Sequence, residues 1–128
     1  MDCPKALKVC TFIVTLVLDM SLEAHLPNSL EMPLKPKIKD ATLGNTGRFV
    51  YQIGGSSGSE NDFLPAYSFS KPMNVGDTLI FENALNYTVV KSTFFQGVKH
   101  PSIGILGENG EFESVRSFDY ADYKKRLG

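Results

Sequence analysis

The feature that most limits the fold is the rhythm of the turn residues. Short β-prone runs are closed by glycine, proline or asparagine about every eight to twelve residues along much of the chain. Asn109-Gly110 is the sharpest of these signals, because a two-residue hairpin needs positive φ and these residues adopt it at little steric cost. It lies between residues 103–106 and 111–116, which predicts a hairpin. RFVYQI at 48–53, YSF at 67–69, TLIF at 78–81 and YTVVKST at 87–93 read as further strands, with a turn at Gly76-Asp77. The tail FDYADYKKRL at 118–127 reads as a short helix, with Asp119 and Asp122 near its start and basic residues near its end. The predicted class is mostly β: a small β-barrel or β-sandwich domain with a short C-terminal helix.

The 128 residues suit one domain and leave no space for an eight-stranded α/β barrel, which needs about 250. Near the start, Lys5 and Lys8 precede an apolar run at 9–18 that imitates a secretory signal. The run is too short to cross a membrane as a helix, ends in Asp19, and is rich in β-branched residues, so it reads as a buried strand. Pro27, Pro33 and Pro36 predict irregular, extended structure over 21–39, and GGSSGS at 54–59 predicts a flexible loop.

Charge and cysteine usage remove several function classes. Thirteen Lys and Arg against fourteen Asp and Glu leave a net charge of −1, without the basic footprint that nucleic acid requires. The run Lys124-Lys125-Arg126 reads as a solvated helix end. The only cysteines, Cys3 and Cys10, form no metal-type pair, and with only His25 and His100 beside them no metal site is expected. A reducing, cytoplasmic setting fits this usage. No phosphate loop, nucleophile elbow or metal-binding helix motif occurs.

Three clusters carry what chemistry there is. The first is DMSLEAHLP at 19–27, where polar groups stand at the end of an apolar run and either meet a ligand or cap the strand. The second is Asp62, which either binds a cationic amine or remains solvated on its loop. The third is YTVVKSTFFQG at 87–97. Strand alternation would place Tyr87, Val89, Lys91 and Thr93 on one face, and neither face is cleanly apolar. Tyr87 could donate to a phosphate and Phe95 could pack on a substrate chain, or both could be core aromatics.

In this order the clusters resemble the C-terminal domain of the carboxynorspermidine/carboxyspermidine decarboxylases, pyridoxal-phosphate enzymes with an alanine-racemase-like fold. The resemblance is carried by LDMSLEAHLPNSLEMP at 18–33, GDTLIFENALNYTVVKSTFFQG at 76–97 and RSFDYADYKKR at 116–126. The middle segment is also similar to the wider ornithine and diaminopimelate decarboxylase group. The match runs from about Val17 to the C-terminus, leaving 1–16 unmatched.

The resemblance implies a partner: an N-terminal α/β barrel that carries the Schiff-base lysine, in a homodimer where the β domain of one subunit completes the neighbour's pocket. It implies that Tyr87 binds the cofactor phosphate, and that Asp19, Glu23, His25, Asp62 and Phe95 lie near substrate. It implies pyridoxal 5'-phosphate in the parent enzyme, with no stable binding to this chain alone.

Two positions depart from the pattern. Gly58 stands where the family has the cysteine that reaches across the interface, so no catalytic residue is assigned here. Gln96 stands where Asn is usual. The resulting expectation is a truncated or detached domain of a polyamine-pathway decarboxylase, inactive alone. Two alternatives are a regulatory or relic domain that docks on an intact subunit, and a secreted β-sandwich binding module. Neither nucleic acid nor membrane is an expected partner.

Overall fold

The computed structural model describes residues 13–31 and 35–128. Its centre is a hairpin of β4 (Phe49–Gly54) and β5 (Phe63–Phe69), joined by the glycine-serine loop. β3 (Ala41–Leu43) pairs antiparallel with β5 on one side, and β1 (Val14–Val17) pairs parallel with β4 on the other. The sheet order is therefore β1-β4-β5-β3.

β5 begins earlier than residues 67–69 alone predict, and it tolerates Pro65 for a specific reason. The register steps from Gln52↔Ala66 to Ile53↔Leu64, so Pro65 falls at a bulge where no ladder bond is asked of it.

Two further sheets are small. β2 (Lys37–Ile38) pairs with β6 (Phe81–Glu82), so of the strand predicted at 78–81 only its last residue is extended in a ladder. β7 (Ile103–Leu106) and β8 (Phe112–Arg116) form the hairpin announced by Asn109-Gly110, with Gly110 at φ +84°. The strands do not close into a barrel, but the mostly β class with a short C-terminal helix holds. That helix, α4 (Tyr120–Leu127), starts at Asp119, whose carboxylate accepts from the Ala121 and Asp122 N–H groups while Asp122 accepts from the Asp119 N–H.

Three expectations fail. Of the run at 9–18, residues 9–12 lie outside the described residues, and the described part does form a strand, β1, but as a sheet edge with Val14 58% and Val17 69% exposed rather than buried. The span 21–39 is not simply irregular. Pro27 separates two one-turn helices, α1 (Leu22–His25) and α2 (Asn28–Glu31). Most consequentially, residues 87–93 are not a strand: α3 covers Leu85–Lys91 and ends where the Ser92 N–H bonds the Thr88 carbonyl. The β-branched residues Thr88, Val89 and Val90 favour a strand locally, but tertiary anchoring overrides so weak a preference.

The core lies between one face of the large sheet and α1. Ile53, Leu64, Tyr67 and Phe69 from the sheet meet Leu22 from α1, Leu26 just after it and Ile38 from β2. The Tyr67 hydroxyl donates to the Pro36 carbonyl at 2.8 Å, and burial pushes its pKa up to about 12.

Candidate functional site

α1 is too short to hold itself together, since nucleating one turn fixes several residues for a single hydrogen bond. Its N-terminus is held from two directions. Ser21 Oγ accepts the Ala24 N–H at 3.1 Å, and the Asp62 carboxylate, forty residues away in sequence, accepts the Leu22 and Glu23 N–H groups at 2.6 and 3.0 Å. The other Asp62 oxygen accepts the Ser57 N–H at 3.1 Å and the Ser57 hydroxyl at 2.5 Å. Asp62 is 1% exposed. Burial, the largest single influence, raises its pKa. The bonds from the Ser57 hydroxyl and from the Glu23, Ser57 and Leu22 N–H groups outweigh it, so the group ionises below its ordinary range.

Gly55 belongs to the same arrangement, because a Cβ there would meet Asp62 Oδ2 at 2.1 Å. The glycine-serine loop is thus tied to α1 through one carboxylate.

α3 and the 3₁₀ turn that follows it (Phe95–Gly97) are fastened to α1 in turn. The Thr93 N–H donates to the Ala24 carbonyl at 2.8 Å, and the Ser92 hydroxyl donates to the His25 carbonyl at 3.3 Å. Lys91 Nζ reaches Asn28 Oδ1 at 2.8 Å and pairs with Glu31 on α2. The three sequence clusters therefore meet in space, at a single corner of the molecule.

Within that corner the predicted residues differ in posture. Tyr87, on α3, and Phe95 are 66% and 54% exposed, so neither is a core aromatic. Asp19 is also exposed. Asp62 is sealed by its own hydrogen bonds and presents no free oxygen to a ligand. Glu23 is half-buried, with Oε2 enclosed and unpaired among the described residues.

His25 is 3% exposed; its Nδ1 accepts the Ser21 N–H at 3.3 Å, which places the neutral ring's proton on Nε2, and that atom too is enclosed without a partner among the described residues. Burial, and next the neighbouring His100, hold the His25 pKa below its ordinary value against an opposing pull from Asp62.

Behind His25 lies an aromatic group that sequence reading missed. His100, 7% exposed, stands 6.4 Å from His25 by ring centroids, 4.1 Å from Phe118 and 5.2 Å from Phe94, and Arg116 covers Phe118 at 4.7 Å. Phe94, Phe118, Tyr120 and Tyr123 line an adjoining cleft of about 410 Å³. The one available hint was that both histidines and the Phe118 segment fall in or beside the notable stretches.

These residues do not form a complete pyridoxal-phosphate site. The aldehyde of that cofactor needs a lysine, and at this corner Lys91 is an exposed cation already engaged by Asn28 and Glu31. What the corner offers is exposed hydroxyls, that of Tyr87 among them, suited to a phosphate oxygen. No group of three or more potential metal-ligating side chains occurs among the described residues. No helix among them is long and apolar enough to cross a membrane.

No protein-family profile matches the chain. It is 52% identical over 112 residues to the carboxyaminopropylagmatine decarboxylase of Synechocystis, an alignment covering 88% of this chain and 29% of that protein. It is 31% identical over 121 residues to the carboxynorspermidine/carboxyspermidine decarboxylase of Campylobacter jejuni, covering 86% of the chain and 32% of that protein. The crystal structure of Campylobacter jejuni carboxynorspermidine decarboxylase complexed with norspermidine superposes with a TM-score of 0.78 at 30% identity, over 86% of the chain and 33% of that structure. The chain spans about a third of the length of the relatives it matches.

Proposed function

We propose, from the premise that this chain is homologous to the C-terminal domain of the carboxynorspermidine/carboxyspermidine decarboxylases, that it forms one wall of the pocket of a pyridoxal-phosphate-dependent decarboxylase acting on carboxylated polyamines. The observation that carries the reading is the presentation of Tyr87 and Phe95. Their segment is clamped to α1 through Thr93 and Ser92 and to α2 through Lys91, yet both side chains project unburied. Exposed aromatics held on a fixed frame are suited to meeting a ligand, since little side-chain and backbone freedom is left to lose on binding.

In this reading the Tyr87 hydroxyl donates to the cofactor phosphate, Phe95 packs along the aliphatic substrate, and Asp19, Glu23 and His25 border it. When bound, the cofactor supplies the electron sink for loss of CO₂. Asp62 acts one step removed, by holding the α1 backbone from which Glu23 and His25 project. The remainder of the pocket, including the Schiff-base lysine, comes from an α/β barrel domain in a homodimer, and the setting is cytoplasmic. The similarities do not favour a secreted binding module or a relic that only docks.

A second reading concerns the substrate. The 52% identity to a carboxyaminopropylagmatine decarboxylase, against 31% to a carboxynorspermidine enzyme, favours carboxyaminopropylagmatine as the carboxylated amine. The test is a chimera in which the matching third of the Synechocystis enzyme is replaced by this chain. CO₂ release is expected, faster from carboxyaminopropylagmatine than from carboxynorspermidine, and Tyr87→Phe should weaken pyridoxal-phosphate affinity about tenfold or more for one charge-assisted bond. A folded chimera with no CO₂ release from either substrate would sink the reading.

A further inference from the structure

The β7–β8 hairpin stands apart from the rest of the fold. Neither strand contributes to the core or to the apolar residues packed against it, and the two strands pack chiefly on each other. A two-stranded hairpin in water is marginal by itself, and it needs a surface on which to lay an apolar face. This one has apolar groups on both faces.

The register pairs Leu106 with Phe112 and Gly104 with Ser114, so these four share a face. A Cβ on Gly104 would meet Phe112 Cζ at 2.4 Å, which shows that the phenyl ring lies across that glycine. Ile105 pairs with Glu113 on the opposite face, and Val115 is the extra residue of the bulge between Ile103 and Gly104, where strict alternation is broken. Leu106 and Phe112 are 62% and 57% exposed, and Ile105 and Val115 are 61% and 66% exposed.

A hairpin covered on one side would leave its other side polar. Apolar side chains on both sides describe an arm that is gripped from both. The tip is built to stay extended: the Gly107 N–H donates to the Glu111 carbonyl at 2.8 Å, and Asn109 bonds Glu111 through both its amide nitrogen and its amide oxygen.

We propose that this hairpin is a docking arm that inserts into an apolar groove on the part of a decarboxylase that this chain does not match. The proposal rests on the functional reading above and adds to it the surface by which the domain is held. The occupant follows from proportion: the matched relatives are about three times as long as the match, so in them this domain has some two thirds of a polypeptide to contact. The arm also differs from the Tyr87–Phe95 face, which serves ligand rather than assembly.

The test compares the full chain with the Synechocystis chimera, using two variants, Leu106→Cys and Ile105→Cys, one on each face. Each thiol is labelled with a maleimide and its rate read peptide by peptide in the mass spectrometer. Both side chains are exposed, so neither change should alter folding, and circular dichroism of the chain checks this. Both sites are expected to label freely in the chain alone and at least tenfold more slowly in the chimera.

Equal rates in the two proteins, at either face, would overturn the two-sided insertion. Protection already present in the chain alone would overturn the choice of occupant and make it a second copy. The labelling is read whether or not the chimera is active, so an inactive chimera with both faces protected discards the pocket reading and keeps the arm.

Discussion

Replacing Asp62 should loosen one corner of the molecule selectively, and the size of the effect can be worked from its partners. In Asp62→Asn the side chain remains nearly isosteric but loses its charge, and one of its oxygens becomes an amide NH₂. The bonds to the Leu22 and Glu23 N–H groups fall from charge-assisted to neutral, about 1 kcal/mol each. The new NH₂ faces the Ser57 N–H, leaving a part-buried donor unsatisfied for about 1 kcal/mol more. The sum is roughly 3 kcal/mol, a large part of the 5–15 kcal/mol that holds a typical domain. For a chain of this size that is a fall of about 10 °C in melting temperature. Thermal unfolding followed by circular dichroism measures it.

Hydrogen exchange should place the damage at the Leu22, Glu23 and Thr93 amides, with β4 and β5 keeping their protection. The pH dependence gives an independent check. The folded Asp62 pKa lies below its ordinary value, so the carboxylate contributes fully above about pH 4 and loses that contribution as pH falls through the folded pKa. Parent and variant should therefore converge in acid. A melting temperature within about 2 °C of the parent at neutral pH, with unchanged Leu22 protection, would refute the argument that Asp62 holds α1.

Two other expectations concern single residues. The His25 pKa is depressed, so the unfolded chain takes up the proton first, and stability is full above about pH 6.5 and declines as pH falls toward the folded value. His25→Gln should flatten the slope of melting temperature between pH 7.5 and 5.5, and an unchanged slope would assign it to another group. Gly58 has ordinary backbone angles and open space where a Cβ would stand, so Gly58→Cys should leave the melting temperature unchanged. In the active chimera, Gly58→Cys should raise CO₂ release by on the order of 10²-fold, the usual effect of a positioned proton donor.

What the sequence made legible was what neighbouring residues decide. Asn109-Gly110 announced its hairpin, RFVYQI its strand, and Asp119 with Asp122 the start of α4, because turns and caps act over two to four positions. α3 was misread because Thr88, Val89 and Val90 carry a local strand preference worth a fraction of a kcal/mol each. Against it stand the Thr93 N–H on the Ala24 carbonyl and the Lys91 contacts to Asn28 and Glu31, all made across 60 or more positions. The failure of 87–93 to show a clean apolar face was the trace of this conflict, since strand alternation had been imposed on a helix. α1 was hidden for the same reason: its acceptor, Asp62, lies forty residues downstream.

That distance also changes what a substitution at Asp62 can reveal. Read from sequence, Asp62 is a candidate ligand contact, and lost activity in a variant would look like proof of contact. In the structure both of its oxygens are spent on the backbone of α1 and on Ser57, while α1 carries Glu23 and His25 and anchors the segment bearing Tyr87 and Phe95. Its removal would therefore displace the proposed pocket wall without any direct bond to substrate. Two readouts separate the roles. A contact residue would weaken substrate binding while the Thr93 amide stays protected. A positioning residue would release that amide in the absence of any ligand, and the buried, fully bonded carboxylate requires the second outcome.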